Sequence, residues 1–204
     1  MLLIFLKDLR MLKLQLKYLL IILCSLTLIS CASIPTHIDI KPQLDLKTTA
    51  YRFNNQQAWQ VSSQDLRVAR HLIEIIDGDN VAQLVNEQQS LRLLIENNLT
   101  QTWLNNGLKV DDESAYKIDI QLIKALTTVI EPIISYDVET QMIIKVQLTH
   151  KNKVFVRLFR SNHQWEAPFA TNIDRITKEL NIQLSQLLNQ IIQDPELNAK
   201  LQQF

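Results

Sequence analysis

A chain of 204 residues, 47% hydrophobic and 21% charged, is composed like an ordinary folded protein, which excludes disordered and fibrous classes. Its 21 basic and 21 acidic side chains cancel, so it has no general attraction to nucleic acid. Its two glycines, Gly78 and Gly107, exclude a glycine-rich phosphate loop or dinucleotide fingerprint, in which backbone must approach phosphate closely.

The charge is unevenly spread. Lys7, Arg10, Lys13 and Lys17 face the single acid Asp8 in residues 1–30, which leaves the remainder mildly acidic. Tyr18 to Ile29 is a nearly unbroken apolar run, shorter than the roughly 20 residues a membrane span needs. With Lys13 and Lys17 before it, the run fits the hydrophobic region of a secretory signal peptide over 1–30, with Met11 as an alternative start. Leu28-Ile29-Ser30-Cys31 at its end resembles the lipobox of bacterial lipoproteins. The small Ser30 opens the bond before Cys31 to a signal peptidase, and the Cys31 thiol is the nucleophile that accepts diacylglycerol. Cys24 follows the bulky Leu23 and offers no such site; the competing reading, an uncleaved anchor, needs a longer span. Once its sulfur is acylated, Cys31 leaves no thiol for a disulfide. One acyl chain holds a protein only marginally, with K of about 10⁴ M⁻¹, whereas two or more anchor it stably. Ala32 and Ser33 follow in place of an aspartate, which argues for export to the outer membrane, facing the periplasm.

Residues 31–57 read as a lipidated N-terminus with an edge strand and a polar loop, ahead of an α+β domain over 58–204. Ile38, Ile40, Leu44 and Leu46 share one parity, which predicts the edge strand, and Pro42 bends it or limits it to one partner. Ala58–Leu66 and His71–Ile76 read as strands, with Asp77-Gly78-Asp79-Asn80 a turn. Leu91, Leu94, Ile95, Leu99 and Trp103 fall at helical spacing, with Gly107 following as the C′ residue. Three alternating runs come next: Tyr116 to Leu122, Tyr136 to Leu148, and Val154 to Leu158, the last two joined by a tight turn at Lys151-Asn152. Leu126 to Ile134, apolar and carrying Pro132, reads as an exposed connection or an edge. The stripe Ile173, Ile176, Leu180, Leu184, Leu187 and Ile191 marks the last long helix, with Thr171 and Asp174 as its capping box. Asp194-Pro195-Glu196 opens a short terminal helix. The expectation is one antiparallel sheet containing a three-stranded meander, with two main helices packed on one face.

His37, His71, His150 and His163 never fall at the spacing of ligands on one element, and no free thiol joins them, so neither metal nor other cofactor is expected. Glu131, Asp137 and Glu139 gather around Pro132 and raise glycan hydrolysis, which needs two carboxylates roughly 5–9.5 Å apart with one kept protonated. Asp137 and Glu139 have the parity opposite to Tyr136 and Val138, which favours a solvated strand face. Ser62, Ser63 and Ser90 lack the glycines of a nucleophile elbow, and no catalytic residue is assigned. Lys145, Lys151, Lys153, Arg157 and Arg160 surround the hairpin turn, either as contacts for anionic lipid or glycan or as the wet side of a strand. Phe155 and Phe159 have the parity opposite to Val154, Val156 and Leu158, so one set points away from the core. With Leu126, Val129 and Ile130 these phenylalanines form the candidate interaction surface. Ile182, Leu188 and Ile192 widen the last stripe, as deeper burial or a dimer seam, burial being favoured.

The lipobox, Ile34-Pro35-Thr36-His37-Ile38-Asp39-Ile40 after it, the helical LRLLIENNLTQTWLNNGLKV, and the meander with its closing helix together resemble the YajG family of lipoproteins. In that family a lipobox precedes a Pro-Thr-Thr-Ile-type strand and then a helix ending in Arg-Gly-Tyr. The resemblance covers nearly all of 31–204, with Asn106-Gly107-Leu108 in place of Arg-Gly-Tyr and a longer leader. It implies an outer-membrane lipoprotein of Gram-negative bacteria and implies no reaction. By looser analogy the topology resembles small domains of envelope accessory lipoproteins, including activators of cell-wall synthases and auxiliary parts of lipid transporters. The expectation is a non-catalytic, lipid-anchored module that binds another envelope protein. A lipid- or glycan-binding module is the alternative and a glycan hydrolase a distant one. Nucleic acid is the wrong partner for a secreted, mildly acidic domain.

Overall fold

Among the described residues eight strands and three helices follow one another as β1 (His37–Ile38), β2 (Ala58–Asp65), β3 (Ile73–Ile76), β4 (Gln83–Glu87), α1 (Leu91–Asn105), β5 (Lys109–Val110), β6 (Lys117–Ile130), β7 (Ser135–His150), β8 (Lys153–Pro168), α2 (Ile173–Gln193) and α3 (Pro195–Gln203). They come from a computed structural model, which describes Lys17 and residues 34–44, 51–54, 56–131, 135–168 and 171–204. The chain divides into two units, Met1–Ile34 and Pro35–Phe204, and every element named here lies in the second. The expected signal peptide apart from Lys17, together with Cys31, Leu46 and the stretch 132–134, lies outside the described residues.

β6 organises the sheet. One of its edges is shared, since β2 pairs in parallel with Lys117–Leu122 and β3 pairs in parallel with Thr127–Ile130. Its other edge pairs antiparallel with β7 from Lys117 to Ile130, and β8 closes that side as the antiparallel partner of β7. On the far side β4 runs antiparallel to β3 and β1 parallel to β4, while β5 runs parallel to β2. The sheet is therefore mixed, and the expected antiparallel pairing holds for the β6–β7–β8 meander and for β3–β4. The parallel pairings arise because the chain returns from β4 through α1, a crossover that sends β6 in the direction of β2 and β3. The short strands β4 and β5 carry too little alternation to be expected from sequence.

Within β6 the core-facing parity changes. Ile118, Ile120 and Leu122 are buried from even positions, the register slips between Leu122 and Lys124, and Ala125, Thr127 and Val129 continue the same face from odd ones. Residues 126–130 are thus the second half of a central strand, not an exposed connection or an edge. Their alternation is hidden because one extra residue, Ile123, resets it.

Where β2 stops and β3 begins, the buried Arg67 closes the gap. Its Nε and Nη2 donate to Asp65 at 3.0 and 2.9 Å, and Nη2 also reaches Glu87 of β4 at 2.6 Å. Arg70 adds a 3.0 Å ion pair to Asp65.

The helices cover one face of the sheet, α1 against β2 and β6 and α2 against β8, and they touch each other. Ser90 caps α1 by accepting from the Leu93 N–H, and Leu91, Ile95, Leu99 and Trp103 are buried beneath it. The cap of α2 is Asn172, which accepts from the Arg175 N–H at 3.0 Å, rather than the expected Thr171. Thr171, one residue before the cap, donates its own N–H to the Glu131 carboxylate at 3.1 Å. The α2 stripe is buried as expected, with Leu188 and Ile192 inside and Ile182 at 40% exposure. Asp194 caps α3 through the Leu197 N–H at 2.7 Å and accepts from Arg157 of β8 at 3.0 Å.

The expected edge strand over 38–46 is corrected too. β1 pairs at His37 and Ile38 alone and then leaves the sheet to cross α2. There the Lys41 N–H donates to Asn181 at 2.7 Å and the Gln43 N–H to Ser185 at 2.8 Å. Pro42, between them, has no N–H to give.

Candidate binding face

The meander has a covered and an uncovered face, and the hairpin register decides which residues occupy each. Lys151, at a φ of 52°, and Asn152 form the expected turn, so His150 opposes Lys153 and the pairing continues to Ser135 and Pro168. In β8 the core parity belongs to Phe155, Phe159 and Ala167, whereas Val154 and Val156 stand 58% and 48% exposed on the other side. The candidate interaction surface therefore divides. Phe159 and Val129 are 2% and 0% exposed and belong to the core, with Phe155 half-buried on the same side. Leu126 and Ile130 do lie on the uncovered face, Ile130 at 51% exposure. Period-two reading cannot separate the parities of β8 because both carry large apolar side chains.

The uncovered face is built row by row from β6, β7 and β8. Ile130, Asp137 and Glu166 lie side by side, then Thr128, Glu139 and Gln164, then Leu126, Gln141 and Asn162, and then Lys124, Ile143 and Arg160. Lys145 follows beside Leu158, so one end of the face is acidic and its middle basic. Asp137 and Glu166 are directly opposed like charges, a destabilising arrangement on a strand pair. Along the centre the Lys124 ammonium donates to Gln141, and the Gln141 amide donates to Glu139 at 2.6 Å. The acidic end forms a groove of about 590 Å³ lined by Thr128 and Ile130, Asp137 and Glu139, and Gln164 to Glu166. Beneath it Trp165 faces the covered side, with Tyr136 at 5.7 Å and the Arg175 guanidinium 4.3 Å from its ring.

The chemistry available here is that of binding. Hydrogen bonds first from Gln141 and then from Gln164 hold the Glu139 carboxyl below its usual range, the opposite of what a general acid needs. Glu131 is engaged with the Thr171 N–H and stands apart from that pair. Of the basic cluster, Arg157 turns to the covered side and pairs with Asp194 and Glu196 at 3.0 and 2.8 Å. Lys145 and Arg160 remain on the uncovered face. The histidines are dispersed, His150 stacking on Tyr116 with 3.8 Å between ring centres. Among the described residues no group of three or more His, Cys, Asp or Glu is arranged to hold a metal ion. No helix among them is long and apolar enough to cross a membrane.

Lys124, Gln141, Asn162 and Gln164 escaped the sequence reading. The signal for the last three was available in the hairpin turn, since placing Lys151-Asn152 at the tip sets every cross-strand neighbour along β7 and β8.

A protein-family model described as "Uncharacterized lipoprotein" matches residues 42–202. No curated protein matches the sequence. Among solved structures, protein XCC0632 from Xanthomonas campestris shares the fold, with a TM-score of 0.58 at 12% identity, covering 81% of this chain and 97% of that one. A second structure, titled only as an uncharacterised protein, covers 70% of this chain and 94% of its own, with a TM-score of 0.42 and 13% identity. The hypothetical protein CT253 from Chlamydia trachomatis covers 72% of this chain and 96% of its own, with a TM-score of 0.32 and 8% identity.

Proposed function

Because the chain belongs to this uncharacterised lipoprotein family, the YajG family, we propose that it is a lipid-anchored accessory protein of the Gram-negative envelope. In this reading Cys31 carries the acyl chains, the protein sits on the periplasmic side of the outer membrane, and its domain works without catalysis by docking an envelope protein. The observation that carries the reading is the uncovered face of the meander. One side of the same three strands is sealed by α1 and α2, while the other presents a groove with charged and amide side chains on a rigid sheet. Sites on strands hold their geometry better than sites on loops. A glycan is the second reading, favoured by the amides of Gln141, Asn162 and Gln164, which suit sugar hydroxyls.

Two measurements test the proposal. Mass spectrometry of the native protein is expected to find an acylated Cys31 at the N-terminus; retained upstream residues or a bare thiol would remove the anchor. A photo-crosslinker at Gln164 in the full chain is expected to trap one envelope protein, while the same probe at Arg52 does not. Equal labelling from both positions would remove the docking face.

A further inference from the structure

The charges on the uncovered face are complementary to a reversed copy of themselves. Asp137 and Lys145 each lie four positions from Gln141 along β7, and Arg160 and Gln164 each lie two positions from Asn162 along β8. Asp137 and Glu166 are exposed at the acidic end, Arg160 is exposed and Lys145 half-buried in the basic middle, and among the described residues none of the four has an ion-pair partner on this face. From this self-complementarity we infer that the occupant of the face is a second copy of this chain, packed sheet on sheet with its strands reversed.

The symmetry is specific. A twofold axis in the plane of the face, crossing the strands at Leu126, Gln141 and Asn162, lays β6, β7 and β8 over their own counterparts with rows inverted. Asp137 then faces Lys145 of the second copy, and Gln164 faces Arg160. Glu166 and Glu139 enter the basic middle as well. An axis along β7 would instead set Asp137 against Asp137, which like-charge repulsion opposes.

Two further observations agree. Three strands roughly 4.8 Å apart, one 14 and two 16 residues long, present on the order of 700 Å². That approaches the roughly 800 Å² per partner of a standard interface. The axis also runs out along the strand order β7-β6-β3-β4-β1, so β1 lies at the same end of it in both copies. Cys31 precedes His37 by six residues, a reach of at most about 20 Å, so both anchors can enter one membrane.

This inference rests on the docking reading and names its partner. The test uses the full-length chain in its membrane. With a bismaleimide whose reach suits the roughly 10 Å between packed sheets, too far for a direct disulfide, Asn162→Cys, on the axis, is expected to give a crosslinked homodimer at least tenfold more readily than Val154→Cys, on the same face but far from the axis. The parent chain controls for Cys31. In the Asn162→Cys background, Lys145→Glu and Asp137→Lys are each expected to cut the dimer at least fivefold, and co-expressing the two single variants restores it as a mixed dimer. Thermal melts confirm that each variant folds. Asn162→Cys crosslinking no better than Val154→Cys, charge reversals without effect, or a mixture that does not recover would each overturn the inference. If Asn162→Cys instead links to a different envelope protein, the self-association falls while the docking reading stands.

Discussion

Gly107 combines two constraints that no side chain meets together. Its φ is 93°, and a Cβ built on it would lie 2.7 Å from the Phe53 carbonyl oxygen, in a segment tied down by the Phe53 N–H bond to Asn106. Gly107→Ala is expected to destabilise by about 2–3 kcal/mol in urea titration, since backbone strain and collision act at once. Gly78→Ala, at a φ of 51° with open space around it, is expected to cost about 1 kcal/mol. Thr127 and Thr140 pose a different test, because their hydroxyls pair at 2.9 Å inside the core. Either Thr→Val change alone strands one buried hydroxyl and costs about 1–3 kcal/mol, whereas the double change is close to neutral. A double-mutant cycle measures that coupling. The glycine was legible in the sequence as a helix stop. The threonine pair was not, because it depends on a register offset by the bulge at Ile123.

Elements with one dominant period were read with little loss. α2 carries its apolar stripe at three- and four-residue spacing, and burying that stripe against β8 and α1 needs no information from elsewhere. β6 is the contrary case, since its extra residue divides one strand into two parities. Deleting Ile123 removes the bulge and leaves Ile118, Ile120, Leu122, Ala125, Thr127 and Val129 on one unbroken alternation, so the shortened chain is expected to keep its cooperative unfolding and its near-ultraviolet circular dichroism. Substituting Ile123 by Ala keeps the bulge and is expected to leave the protein folded. β1 fell short of expectation because the Lys41 and Gln43 amides are satisfied by Asn181 and Ser185 of α2, leaving no ladder to continue.

Across the whole molecule, the buried Arg67 binds the end of β2 to β4 through Asp65 and Glu87, and it predicts a pH dependence. Burial raises the Asp65 pKa, but hydrogen bonds and charge from Arg67, with Arg70 beside it, outweigh that and hold it below the ordinary value of 3.8. A carboxyl with a depressed folded pKa contributes stability above its unfolded value and loses it as pH falls through the folded one. Stability is therefore expected to hold at neutral pH and to fall below about pH 4. Arg67→Met is expected to cost about 3–5 kcal/mol at pH 7 and distinctly less at pH 3, where the stranded Asp65 carboxyl takes up its proton. Denaturant titration at both pH values decides this. The helices and the meander hairpin could be read from the chain alone, because helical stripes and tight turns are local and repeat within a few residues. The mixed pairing around β6, the side on which Phe159 and Arg157 lie, and the acidic and basic rows of the bare face arose only when distant strands met. Long-range register and the crossover through α1 leave no mark on neighbouring residues.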